Sequence, residues 1–315
     1  MAHLSPSVGR GVVLSLVSLI LLGLMPIISN LRPTILDALS FALALSVWQV
    51  IFAFPVFAIE LGRGTCGIFG AELSSSQCRR MAMVALFTGA AFGLSTYLYV
   101  LGVEKAGAAS AAIAIQAYPL FSILWESLFL KRRKTPLELF LTGALIVSLY
   151  FLGTGGTFRI SGLSYWLLVS LGVPFLWSVA HVIIKEELSH TPITPVQVTF
   201  FRVSISTVFL AFVVAMTLPN GFFLTENAIF NPMSALMGFV YFLELIVWFY
   251  AVRHIDVSLA SSITTPWPAL TMILAVPFLG DTVESYQIAT LIVVIACIYG
   301  LTLMSLKKRQ GAQPS

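Results

Sequence analysis

Charge is scarce in this chain. Only 10% of its 315 residues are Asp, Glu, Lys or Arg, against about 25% in an ordinary soluble domain. No polar stretch is long enough to fold as a separate soluble unit, so a soluble globular protein is excluded. Cysteine is nearly missing as well. Cys66, Cys78 and Cys297 form no CxxC pair and no metal spacing with the four histidines, so they read as free thiols, and no metal or cofactor is expected. There is no phosphate-cradling glycine loop, which excludes ATP drive. Neither an Asp-rich cluster nor an HExxH motif occurs, which argues against an intramembrane enzyme such as a lipid-modifying transferase. The net charge of +4 comes from short basic loops. It is an orientation signal and not a nucleic-acid surface.

Apolar runs fill the space that charge leaves. The chain is 58% hydrophobic, and a membrane span needs about 20 mostly apolar residues. Ten runs qualify, at roughly 11–30, 38–59, 81–103, 106–130, 136–155, 162–184, 195–218, 232–252, 256–279 and 284–306. They are too long and too uniformly apolar for barrel strands, so the fold class is an all-α membrane protein of ten transmembrane helices. Arg10 precedes the first run with no small-residue cleavage site after a short core, which reads as an uncleaved first span.

Basic residues sort strongly by side. With the N-terminus inside, thirteen of the 17 Lys and Arg residues fall inside: Arg10, Arg63, Arg79, Arg80, Lys131 to Lys134, Lys185, Arg253 and Lys307 to Arg309. Only Arg32, Lys105 and Arg159 fall outside, and Arg202 lies within a span. Such a bias predicts both termini in the cytoplasm.

One segment occurs twice. Tyr97 to Tyr150 aligns without a gap on Ile246 to Tyr299, 149 positions later, matching Val103 with Val252, Ala111 with Ala260 and Pro119 with Pro268. The polar breaks align too, with Lys131 to Lys134 falling on Gly280 to Val283. The first copy of that loop is basic and the second is acidic, through Asp281 and Glu284. Opposite charge predicts opposite insertion, the inverted-repeat plan of many secondary transporters. The expected units are 1–156, a second inverted repeat at 157–306, and a cytoplasmic tail at 307–315. Small residues, such as Gly89 and Gly93 in the third span, predict close helix packing.

With the motif Leu-Gly-Val-Glu-Lys-Ala-Gly-Ala-Ala-Ser at 101–110, Tyr118-Pro119, and the second-half counterparts Val252 to Leu259 and Trp267-Pro268, the chain resembles the EamA-type branch of the drug/metabolite transporter superfamily. The string Trp267-Pro268-Ala269-Leu270-Thr271 is also similar to a span in the aromatic amino-acid exporters of that superfamily. The resemblance implies a non-enzymatic secondary transporter in the bacterial inner membrane. Its partners would be a small organic substrate such as an amino acid and the lipid bilayer; the residues leave open both proton exchange through Glu244 and facilitated diffusion. A Glu that family members often carry before the span 4 proline, or a Gly-Glu at the end of that span, is replaced here by Tyr118 and Lys131-Arg132, so no proton role carries over to those places. The second transport reading is a nucleotide-sugar or phosphorylated-metabolite antiporter, which needs two or more cations facing the cavity; only Arg202 and His181 qualify.

Candidate site residues follow from position. Pro119 and Pro268 sit midway along spans 4 and 9, where matched interruptions point to a central site and to hinges. Gln116 precedes the first proline, and Thr264, Thr265 and Pro266 precede the second. Glu244 lies in mid-span, where a carboxylate costs about 2.5–3.5 kcal/mol unless it is neutral, paired or facing water. That chemistry suits proton coupling or amine binding, with Tyr241 one turn away. Tyr97, Tyr118, Trp177, Trp248 and Trp267 lie on spans that the resemblance places around a central cavity, and aromatic walls there would suit an apolar or aromatic substrate. Arg202 is expected to snorkel as a structural anchor, Glu126 to pair with the basic loop, and His181 to be interfacial.

Overall fold

The computed structural model describes residues 8–64, 67–70, 73–118, 120–121, 124–125, 135–217, 226–255 and 257–311. Pro119, Glu126, Lys131 to Lys134 and Cys66 therefore lie outside the described residues. Eleven α-helices occur, and no strand is present among the described residues. They are α1 (Val8–Asn30), α2 (Ala38–Gly62), α3 (Ser75–Ala106), α4 (Ala108–Ile115), α5 (Pro136–Gly153), α6 (Tyr165–His190), α7 (Pro195–Thr217), α8 (Pro232–His254), α9 (Val257–Thr264), α10 (Trp267–Leu279) and α11 (Ser285–Gly311).

Among the described residues, eight stretches are long and apolar enough to cross a membrane, one of them running through the short break between α9 and α10. The outward faces agree. Val208, Phe212 and Met216, spaced four apart on α7, are all exposed, a stripe that only lipid would cover favourably. This is a multi-pass membrane protein, and the helical form follows because lipid offers no partner for unpaired backbone groups.

Local chemistry starts the helices where the chain enters them. Asp37 caps α2 by accepting from the Leu39 and Ser40 amides. Asn231 caps α8, with Pro232 at its first position, where a missing N–H costs nothing. Ser74 and Gln77 form a capping box on α3. Thr135 and Glu138 form another on α5, and the Glu138 carboxylate takes the Thr135 amide at 2.7 Å. The matching device opens α11, where Gln287 Oε1 takes the Glu284 amide at 2.9 Å. Positions 135 and 138 become 284 and 287 on adding 149, so the repeat extends to its caps.

Two spans are broken, and the breaks coincide. α4 runs from 108 to 115 and α9 from 257 to 264, so both ends differ by 149. Beyond each break the first new turn closes with the same short bond: Leu120 N to Ala117 O at 2.9 Å, and Ala269 N to Pro266 O at 3.0 Å. Pro268 stands in the first turn of α10, so it starts a new helix and does not kink a continuous one. Neither Pro119 nor Pro268 carries an N–H for the carbonyl four residues before it.

Helix packing repeats with the same logic. α1 packs on α8 as α3 packs on α6; α2 packs on α8 as α3 packs on α7. The pairs α2 with α7 and α5 with α11 each join counterparts. Those counterparts run in opposite senses. Leu141 early in α5 meets Gly300 late in α11, whereas Gly156 after α5 meets Tyr286 at the start of α11. Likewise Phe57 late in α2 stacks on Phe200 early in α7, with ring centroids 4.4 Å apart.

Gly89 and Gly93 set the α3–α7 contact. A Cβ on Gly93 would sit 2.8 Å from the Phe209 ring and 3.1 Å from the Ser206 carbonyl. The Ser206 hydroxyl donates to Gly89 O at 2.7 Å. With no hydrophobic drive between helices in lipid, such close backbone approach supplies dispersion contact instead.

Candidate functional site

A polar centre is buried where α1, α3, α7 and α8 meet. On α8, Tyr241 and Glu244 lie three apart, on one face, and are 2% and 7% exposed. Ser18 on α1 donates to Glu244 Oε1 at 2.9 Å. Arg202 on α7 is 6% exposed. Its Nη2 reaches the Tyr241 hydroxyl at 3.5 Å, a long contact, and its Cζ lies 3.4 Å from the centroid of the Phe92 ring. That stacking on an aromatic face is favourable for a desolvated guanidinium. Glu244 and Arg202 interact through space. Three polar neighbours come from the inward face of α3. Thr96 neighbours the Tyr241 hydroxyl, Tyr99 is buried beside Tyr241 and Glu244, and Ser95 Oγ takes the indole N–H of Trp177 at 3.0 Å.

An aromatic wall adjoins this centre. The His181 ring on α6 lies 5.4 Å from Phe92, 5.8 Å from Tyr118 and 6.5 Å from Trp177, and His181 also interacts with Arg202. His181 is half-buried among these rings and Arg202 is buried, where the sequence predicts an interfacial histidine and a snorkelling arginine. Both differ from the sequence-based expectation for the same reason: residue depth along a helix is legible, but the direction its side chain takes is set by neighbouring helices.

The helix breaks form a second polar contact. The Gln116 side-chain amide donates to the Thr265 carbonyl at 2.6 Å. These two residues are also 149 positions apart, so each is the other's counterpart in the repeat. The bond has a clear cause. The amide of Ala269 is spent on Pro266, and Gln116 supplies a donor to a carbonyl that the broken helix does not serve.

The expected site residues thus divide. Tyr241 and Glu244 come together, and Trp177 and Tyr118 join through His181. Gln116 meets Thr265, and Trp267 is buried in the main apolar core. Tyr97 stands apart, half-buried toward Asp37 and Glu104. Its neighbour Tyr99 takes the inward position. The helical spacing Phe92, Thr96, Tyr99, Val103 could have identified that face. Ser18 had no signal beyond its place in a small-residue stripe with Gly11 and Ser15.

A narrow cleft leads to the centre from one end. It opens between the first half of α3, the end of α6 and the start of α7, and closes on Arg202. About 40 Å³ is open to the centres of water molecules, room for roughly three waters.

The fold and site together define a multi-pass helical membrane protein with a desolvated polar centre. Residues 164–303 match the model of the EamA-like transporter family, a family of the drug/metabolite transporter superfamily whose members are membrane transporters of small solutes. No curated protein matches the sequence. A solved crystal structure, described only as that of a protein, superposes with TM-score 0.57 at 13% identity, covering 96% of this chain and 99% of the other. At that identity the likeness shows a shared fold and nothing more.

Proposed function

We propose that the chain is a secondary transporter that exports a small organic metabolite, such as an amino acid, across the bacterial inner membrane. Transport proceeds by alternating access of two inverted five-helix repeats, with both termini cytoplasmic. The observation that carries this reading is the bond between Gln116 and Thr265, which joins two helix breaks at equivalent positions. Broken helices expose backbone polar groups at membrane depth, a cost that is tolerated where they line a path or site. Antiparallel counterparts and the exchange-symmetric packing support the same plan.

Glu244 is the proposed proton-coupling and substrate-binding carboxylate, with Tyr241, Trp177 and Tyr118 shaping the cavity and Pro119 and Pro268 at its hinges. Counterflow of labelled amino acids in proteoliposomes tests the reading. Glu244→Gln should keep counterflow while losing the response to an imposed proton gradient. Unchanged pH dependence in that variant removes Glu244 as the coupling group, and no counterflow with any labelled metabolite rejects the transporter.

The antiporter of phosphorylated solutes ranks second. His181 beside Arg202 favours it, yet a phosphate dianion needs more than one permanent cation.

A further inference from the structure

Arg202 has capacity that the structure leaves unspent. Its Nη1 is buried with no hydrogen-bond partner, and its Nη2 has only the long contact to Tyr241. A buried guanidinium missing partners is expensive, because desolvation is repaid only when its donors are met. Arg202 also ends the cleft and is its only charged lining residue among the described residues. The remaining walls are apolar, formed by Met81, Val84, Ile184, Ile193 and Phe201. Thr88 lines the cleft too, but its proton is committed to Val84 O at 2.7 Å.

We propose that this cleft is a binding site for an amphiphilic monocarboxylate, with the carboxylate on the Arg202 guanidinium and the apolar chain between α3 and α7. The charge balance selects the class. Arg202 is the cleft's only charge among the described residues, so a monoanion and not a dianion matches it. An amine is disfavoured because Glu244 does not line the cleft. The present volume accommodates the headgroup, and binding the chain requires the cleft to widen. The inference deepens the transport reading and rests on it for its purpose, but its test is a binding test.

Three six-carbon probes share one apolar body: hexanoate, hexanol and hexylamine. Each is titrated against the full-length protein in lipid nanodiscs while thermal unfolding is followed, since a ligand of the folded form raises apparent stability. Hexanoate should give a saturable upward shift, with hexanol needing at least about tenfold more for the same effect, the ratio expected for one charge-assisted contact. Arg202→Gln should remove the difference between hexanoate and hexanol. Ile193→Trp fills the mouth while leaving Arg202 in place, and it should abolish the hexanoate shift even if Arg202→Gln fails to fold. Equal shifts from hexanoate and hexanol in the wild type, preference for hexylamine, or a hexanoate shift surviving Ile193→Trp overturns the proposal. Counterflow of labelled amino acids in the same preparation is scored separately. Counterflow without hexanoate binding rejects this site alone, whereas hexanoate binding without counterflow of any metabolite rejects the transporter reading.

Discussion

Two buried arginines invite comparison. Arg32 and Arg202 are 7% and 6% exposed, and each lies over a phenylalanine ring, Phe41 and Phe92 respectively. Arg32, in the turn between α1 and α2, is saturated. Its donors reach Ser29 O at 2.7 Å, Leu36 O at 3.2 Å, and the Glu104 carboxylate at the end of α3. Glu104 in turn pairs with Lys105. Arg202 has one long contact and an unmet donor. The same side chain thus does two jobs. A saturated arginine clamps helix ends together, and an unsaturated one keeps binding capacity in reserve at some cost in stability.

Four variants break or sharpen that contrast. The largest effect is expected at Arg32→Met, which takes the donor from two carbonyls and leaves the Glu104 carboxylate with Lys105 alone. Loss of about 3 kcal/mol of stability should lower the melting temperature markedly in nanodiscs. Gln116→Leu comes next, at about 2 kcal/mol, because the Thr265 carbonyl loses its donor in a medium with no substitute. Gln287→Leu removes the α11 cap and its Nε2 contact to Ser110 at 2.9 Å; a cost near 1 kcal/mol is expected by the same assay. The smallest effect is expected at Arg202→Met, where loss of an under-partnered buried charge should leave the melting temperature unchanged or raise it. A fall as large as that of Arg32→Met would erase the distinction between the two arginines.

Much of this architecture could be read from the residues, and the parts that could not share a physical cause. Eight of the ten expected span positions coincide with long apolar helical stretches, legible because lipid demands such helices wherever the chain crosses. The breaks were legible to within a turn, since Pro119 and Pro268 mark them, although the helices end at Ile115 and Thr264, ahead of both prolines. The caps Thr135 to Glu138 and Glu284 to Gln287 stand in the sequence as a repeated i, i+3 pair, at the edges of apolar runs that carry a stronger signal. Neighbours across helices were not legible. Glu244 was recognisable by its cost at mid-span, but its partners Ser18 and Arg202 come from helices remote in sequence. Tyr97 drew attention ahead of Tyr99 because only packing, or a count of helical phase, tells the two apart.

The bond from Gln116 to Thr265 joins a residue to its own image. When two matched halves trade shapes about a shared axis, points on that axis stay put while everything farther out swings. This bond is then a fulcrum, and spectroscopic labels placed beside it should report nearly constant spacing across the working cycle. Labels at the rims, near Arg32 or Ile193, should travel furthest.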